Sequence, residues 1–350
     1  MGIPSRQPFH ARHRHGPHCA DDRRQAPRPG PYPGIGIAAS LILAAAFASG
    51  ASAGDLRIAT YDPDLSRQGP GLLARDIASG KDPQVVAAIE VIRRADADVL
   101  LLTGFDWDLD GTALAAFRAA LAEAGADYGH AFAARPNTGR DSGFDLDGDG
   151  VPGGRSDKMG FGAFPGQGGM AILSRLPIDA GATRDFSGFP WRDLPANRLA
   201  EAGLPPAAAE VMPLSTTAHW DVPVLTPGGG RIHLLAWLAS PPVFRPEAMN
   251  RARNHDETAF WLRYLDGALP EPPPQAPFVI FGISNTDPVA GAGDPGAMAA
   301  LLADPRLTDP KPVSDGGRAA AGPVSPGDSA LDTTDWAGNR GVSSAWVIDP

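Results

Sequence analysis

Three stretches of this 350-residue chain carry polar side chains at spacings that can do chemistry. In Asp145-Leu-Asp-Gly-Asp-Gly150, carboxylates alternate and a glycine turn follows, so Asp145, Asp147 and Asp149 can aim oxygens at one large cation such as Ca²⁺. The stretch is not an EF-hand. Pro152-Gly-Gly stands where an exit helix would begin, and Ser156 stands where a bidentate Glu belongs. A solvated acidic loop is the alternative. In His219-Trp-Asp221 the His and Asp are two apart, so on a strand they share a face and Asp221 can orient His219 in a pocket. The competing reading packs the His and Trp inside a core. The third stretch, His255-Asp256-Glu257, reads as the opening of a helix whose acids complement the helix dipole. No glycine-rich phosphate loop, Ser-His-Asp order or basic aromatic patch stands out.

The elements that must position these residues follow from periodicity. Leu56 to Tyr61 alternates as a strand does, and Val99-Leu-Leu-Leu102 reads as a strand buried on both faces. Asp82-Pro83 caps a helix that continues over Val85 to Arg94, and a second helix spans Thr112 to Ala124. Further strands are expected at Met170–Leu173, Thr216–Val224, Ile232–Leu238, Phe278–Gly282 and Ala345–Ile348. Asp256–Leu265 is helical, and Asp294-Pro295 caps a helix ending near Asp304. Loops rich in Gly, Pro and Asp fall at 134–168, 184–213 and 311–340. Short strands, few helices and long loops imply a layered α/β protein with mixed sheets.

The amino-terminal residues differ from the rest. A basic, Pro-rich stretch to Gly34 precedes an apolar run over Ile35–Ala48 and an Ala51-Ser52-Ala53 cleavage site. This predicts a signal peptide at 1–53 and a single domain at 54–350, secreted or periplasmic. The apolar run falls short of the ~20 residues that span a bilayer, so no transmembrane span is expected after signal removal. Arg23-Arg24 hints at twin-arginine export but lies far from the apolar run. Six Arg and two Asp lie within 1–53, so the formal charge of −10 becomes −14 for the remainder. Such a surface repels phosphate backbones and argues against tight non-specific nucleic-acid binding. The single cysteine, Cys19, falls in the presequence, which excludes disulfides and thiol catalysis from the mature chain.

Ordered landmarks from about Leu56 onward resemble the endonuclease/exonuclease/phosphatase superfamily. Arg57-Ile-Ala-Thr-Tyr-Asp62 is similar to its first strand, and Ala97-Asp-Val-Leu-Leu-Leu-Thr-Gly-Phe-Asp106 to its second. Phe164-Pro-Gly-Gln-Gly-Gly-Met-Ala-Ile-Leu-Ser-Arg175 and Phe278-Val-Ile-Phe-Gly-Ile-Ser-Asn285 resemble two later strands. His219-Trp-Asp-Val-Pro223 and Asn254-His-Asp-Glu257 resemble a bacterial exported branch. The resemblance implies a four-layer α/β/β/α sandwich with two packed mixed sheets. It also implies hydrolysis of phosphoester bonds with Mg²⁺ or Mn²⁺, the metal offsetting charge on the leaving oxygen.

At the positions that matter the match breaks. Asp62 stands at the family's metal-site Asn, and Asn285 remains of its Asp-x-Asn pair. Gly104 replaces the metal-binding Glu and Ile283 the catalytic Asp, while Leu238 and Ala345 replace a His and an Asp. Ile, Leu and Ala neither hold a metal nor move a proton. The implied function is an exported family member with a degenerate phosphohydrolase site, binding a phosphorylated or other anionic ligand or serving as a surface module. Two alternatives stay open. Asp106, two residues beyond Gly104, could join Asp62 around a cation in a rebuilt phosphoesterase site, with Asn285, His219 and Asp221 as catalytic candidates. Or the acidic loop makes a calcium-stabilised extracellular binding module.

Overall fold

The computed structural model describes residues 55–275, 277–289, 293–320, 327–331 and 333. The expected signal peptide and the expected strand at Ala345–Ile348 lie outside them. In chain order the elements are β1 (Ile58–Tyr61), α1 (Leu72–Ser79), α2 (Pro83–Ala95), β2 (Val99–Phe105), α3 (Thr112–Glu123), β3 (His130–Phe132) and β4 (Gly169–Ser174). There follow β5 (Arg184–Asp185), α4 (Pro206–Ala209), β6 (His219–Leu225), β7 (Arg231–Leu238), α5 (Glu247–Leu265), β8 (Phe278–Ile283), α6 (Gly296–Leu302) and α7 (Asp315–Ala320).

They build two four-stranded mixed sheets, ordered β1-β2-β4-β3 and β5-β6-β7-β8. The pairs β1–β2 and β7–β8 are parallel and the others antiparallel. The period of two sorts side chains into layers. In the first sheet, Leu100, Leu102, Ala171 and Leu173 face Leu73, Ile77, Ile92, Phe117 and Leu121 of α1–α3. Their neighbours Val99, Leu101, Met170 and Ile172 turn the other way, onto Trp220, Val222, Leu234 and Ala236 of the second sheet. Leu235 and Trp237 then pack outward on Phe260, Trp261 and Tyr264 of α5. The result is the α/β/β/α sandwich, with β8 also approaching β1 and β2 across the sheet interface.

Local chemistry sets the boundaries. Asp82 caps α2 through Val85 N–H at 2.9 Å, and Pro83 occupies the first turn as expected. β6 begins at His219 rather than Thr216, because Thr216 and Thr217 are drawn into loop contacts with Glu257 and Asn137. The expected helix at Asp256–Leu265 starts at Glu247, so His255–Glu257 lie mid-helix and the helix-dipole reading of those acids fails. The 134–168 loop is irregular but clamped. Asn137 Nδ2 donates to the carbonyls of Ser187 (2.6 Å) and Ser215 (2.8 Å), and a Cβ at Gly160 would fall 1.9 Å from the Thr216 carbonyl oxygen.

Candidate functional site

Asp62 and Gly104 follow or end the parallel pair β1–β2, and Leu238 and Ile283 end the parallel pair β7–β8, in register with each other. Strand ends of this kind are where a layered α/β fold collects chemistry. Asp62 and Gly104 are in direct contact. A Cβ on Gly104 would lie 2.5 Å from Asp62 Oδ1, and Gly104 has φ +58°, a left-handed conformation that favours glycine. A bulge between Leu102 and Phe105 produces this kink. Ile283 and Leu238 bring hydrocarbon to the neighbouring strand ends. Asn285 Nδ2 donates to the Ala239 carbonyl at 2.7 Å, and its backbone is also left-handed, at φ +53°.

The bulge also bears on the expected pairing of Asp62 with Asp106. Beyond a kinked strand, alternation no longer holds, and both Asp106 oxygens are occupied: Oδ2 accepts from Arg67 N–H (2.8 Å) and Oδ1 from Gly168 N–H (2.9 Å). Burial raises the Asp106 pKa above the usual carboxylate range, with those N–H donors pulling the other way. A hard divalent ion needs several converging oxygens. Among the described residues at this edge, Gly104 and Ile283 supply none and Asp106 is held by two backbone N–H groups, so those residues do not fit Mg²⁺ or Mn²⁺.

His219 and Asp221 share a face of β6, but it is the face covered by α5, and both are fully buried. The expected orientation of His219 by Asp221 does not form. His219 Nε2 lies 2.8 Å from the Glu257 carbonyl, so it carries the proton, and Nδ1 accepts from Ser215 Oγ at 2.7 Å. Burial drives the imidazole pKa down to about 4. Asp221 instead accepts from Tyr264 O–H (2.7 Å) and meets His233 Nδ1 (2.6 Å). Hydrogen bonds of this sort are ordinary for polar residues in a core: each satisfies the other.

The Asn254–Glu257 stretch belongs to a buried polar cluster that reaches well beyond it. Along α5, Glu257 Oε1 accepts from Thr216 N–H (2.6 Å) and Oγ1 (2.5 Å), and Oε2 from Ser240 N–H (2.6 Å) and Oγ (2.8 Å). Arg253 donates to the carbonyls of Leu214 (2.7 Å), Pro213 (2.8 Å) and Ser215 (3.0 Å), its pKa lowered by burial to about 10. Asn254 Nδ2 donates to the carbonyls of Ser240 (2.7 Å) and Ser284 (2.6 Å). Asp256 accepts from Trp191 Nε1 (2.6 Å) and Arg198 N–H (2.7 Å). One helix thus latches the loops entering β6 and leaving β7 and β8. The signal in the sequence is the i, i+4 pair Arg253 and Glu257 on one helix face.

In the acidic loop, Asp145, Asp147 and Asp149 each place a carboxylate oxygen within 4.8 Å of the others. Asp145 also accepts from Gly148 N–H (2.8 Å) and Gly150 N–H (2.9 Å). Asp157, rather than Ser156, closes the loop from beneath, accepting from Leu146 N–H (2.7 Å) and Gly154 N–H (2.8 Å). Burial opposes its ionisation, but the surrounding backbone N–H groups outweigh it and hold the pKa below the usual range.

Comparison with known proteins gives the same architecture a family. Similar solved structures include an endonuclease/exonuclease/phosphatase from Beutenbergia cavernae DSM 12333, at 19% identity and TM-score 0.42, covering 75% of this chain and 57% of that one. This chain therefore spans little more than half the length of that relative. A beta hairpin deletion mutant of beta toxin from Staphylococcus aureus (12% identity, TM-score 0.37) covers 71% of each chain. The human Nocturnin catalytic domain with bound sulfate anion (12%, TM-score 0.34) covers 71% of this chain and 70% of that one. A search of curated proteins finds no match. Among the described residues no helix is long and apolar enough to cross a membrane. The family model for the Endonuclease/Exonuclease/phosphatase family matches residues 73–341, most of the sequence, and the chain belongs to that family.

Proposed function

We propose that this protein is an exported, non-hydrolytic member of its family that keeps the fold and binds an anionic ligand. The observation that carries this reading is the contact of Gly104 with Asp62. Where a phosphoesterase needs converging metal ligands, this chain offers one carboxylate beside a glycine whose backbone disfavours any side chain. Ile283 leaves the neighbouring strand end without a base. Export is supported by the basic stretch, apolar run and small-residue cleavage motif of residues 1–53. Asn285, His219 and Asp221 then serve the scaffold, each through the hydrogen bonds described above.

Hydrolysis of generic phosphomonoester and phosphodiester substrates by the purified protein, with Mg²⁺, Mn²⁺ or Ca²⁺, tests the reading. No metal-dependent turnover is expected. Clear turnover abolished by Asp62→Ala would hand the site to a rebuilt phosphoesterase. Amino-terminal sequencing of exported protein is expected to begin at Gly54, and residues before Ile35 on the exported form would refute cleavage there.

A second reading concerns the acidic loop. The grouping of Asp145, Asp147 and Asp149, braced by buried Asp157, supports Ca²⁺ as a stabilising ion. Millimolar Ca²⁺ is then expected to raise the melting temperature, and Asp147→Asn to abolish the rise. An unchanged melting temperature excludes it.

A further inference from the structure

Beneath α5, three buried aromatic residues lie close together and differ at their polar atoms. Trp237 on β7 and Trp261 on α5 are 4% and 0% exposed, with ring centroids 6.0 Å apart. Trp261 lies 6.3 Å from Tyr264, one turn along the helix. Rings at such separations exchange electrons readily. Among the described residues neither indole N–H has a hydrogen-bond partner. Tyr264 O–H, by contrast, donates to Asp221 Oδ2 at 2.7 Å, and the phenol oxygen accepts from Arg184 Nη1. Asp221 Oδ1 meets Nδ1 of His233 at 2.6 Å, so a partly exposed imidazole stands between the buried carboxylate and solvent.

These differences decide where an oxidising equivalent comes to rest. Removing one electron from Trp237 or Trp261 leaves an indole radical cation, a positive charge in hydrocarbon with no acceptor for its proton. A buried charge of that kind is strongly disfavoured. Tyr264 can give up an electron and its proton together, because Asp221 already holds that proton in a hydrogen bond. An electron passes from Tyr264 to the indole radical cation, and the phenol proton passes to Asp221 Oδ2. The products are neutral indole, a neutral tyrosyl radical and a neutral carboxyl group, so the positive hole and the buried carboxylate charge cancel. Trp191 is a poorer sink. Its N–H reaches Asp256 at 2.6 Å, but the Arg253 guanidinium lies 5.8 Å over its ring and opposes positive charge there.

We propose that Trp237, Trp261 and Tyr264 form a hole relay, in which one-electron oxidation of the buried indoles ends on Tyr264 with Asp221 as its proton acceptor. The oxidant is a diffusible radical that takes one electron. The relay is independent of ligand binding and of any reaction at the strand ends.

Ultraviolet flash photolysis of the purified protein tests it, because the flash ionises buried indoles directly and the indole and tyrosyl radicals are followed by their absorbance. In wild type the indole radical is expected to decay as a tyrosyl radical grows in. Tyr264→Phe should remove most of that growth and lengthen the life of the indole radical severalfold, whereas Tyr128→Phe should do neither. Trp261→Phe, which leaves Tyr264 and Asp221 in place, should lower the tyrosyl yield. Asp221→Asn should slow the growth severalfold. Heavy water should also slow it in wild type, which tests the proton step without altering the fold. Absence of a tyrosyl radical in wild type overturns the proposal, as does growth that persists in Tyr264→Phe or keeps its rate in heavy water.

Discussion

Along α5, every buried charge has a partner; at the strand ends, Asp62 meets Gly104 and the neighbouring positions Leu238 and Ile283 are hydrocarbon. Glu257 uses both oxygens twice and Arg253 holds three carbonyls, so this polar cluster is as much a part of the folded core as the aromatic residues beside it. Asp62, by contrast, accepts among the described residues only from Asp64 N–H, at 2.9 Å. The difference separates two demands on one fold. Buried polar groups that organise loops are required for folding itself, because an unmatched one costs free energy in every molecule. Residues at a half-buried strand end are under less demand from folding, so changes there should cost the scaffold less.

The comparison breaks most visibly if the α5 latch is cut. Glu257→Ala would strand four donors and leave Arg253 buried without its neighbouring negative charge, a change that costs about 3–5 kcal/mol when one member of a buried pair is removed. Urea denaturation should show a loss of that order, while Glu257→Gln, which keeps acceptor capacity on one oxygen, loses less. A loss below about 1 kcal/mol would mean that the latch is ornamental to folding.

The latch should also respond to acid through His219. Its folded pKa is near 4, against 6.5 when exposed, so the unfolded chain takes up a proton first. Stability from this group is therefore complete above pH 6.5 and drains away as pH falls towards 4, by about 3 kcal/mol in all. Burial raises the pKa of Glu257, which acts with the opposite sign. Comparing wild type with His219→Gln between pH 7 and pH 4 isolates the histidine. The variant should lose less stability over that interval, and parallel curves would show that His219 protonates without resistance.

At the strand ends the effects shrink. Gly104→Glu restores the carboxylate that the family resemblance expects, but in a left-handed backbone conformation and against Asp62 Oδ1. Strain of this kind costs about 1–3 kcal/mol. Adding Ile283→Asp supplies the second carboxylate, and only the double variant should regain stability on addition of Mg²⁺, because the ligands act as a set. Recovery with Gly104→Glu alone would show that Asp62 and one carboxylate suffice.

Much of the fold was legible in residue patterns, and the exceptions have physical causes. β2, β4, β7 and β8 were recognisable because both faces are apolar, and α2 because Asp82-Pro83 marks its start. The first half of α5 was not, since periodicity assumes that polar residues face water, whereas Arg253, Asn254, Asp256 and Glu257 point into the core. His219 and Asp221 looked alike as pocket or packing residues until α5 was seen to cover their face. That Gly104 and Ile283 carry no ligand atom could be read from the chain alone. That Gly104 also kinks the backbone, in a strand whose register shifts between Leu102 and Phe105, depends on a bulge that no spacing records.

The smallest expected effect is at Asp62 itself, the carboxylate that meets Gly104 at the strand end. In a working phosphoesterase this position would hold a metal, and removing its charge would abolish metal binding. Here its side chain receives one backbone N–H, and its negative charge adds to the burial that raises the pKa of Asp64. Asp62→Asn keeps the accepting oxygen and removes the repulsion, so stability should stay within about 0.5 kcal/mol of wild type, as for most substitutions outside tight networks. The change should instead appear on Asp64, whose carboxyl pKa should fall towards its ordinary value in an NMR titration. Mg²⁺ should leave both proteins' melting temperatures unchanged. If Mg²⁺ stabilises wild type and Asp62→Asn removes that stabilisation, Asp62 has partners that outdo the contacts seen here, and the strand end is a metal site after all.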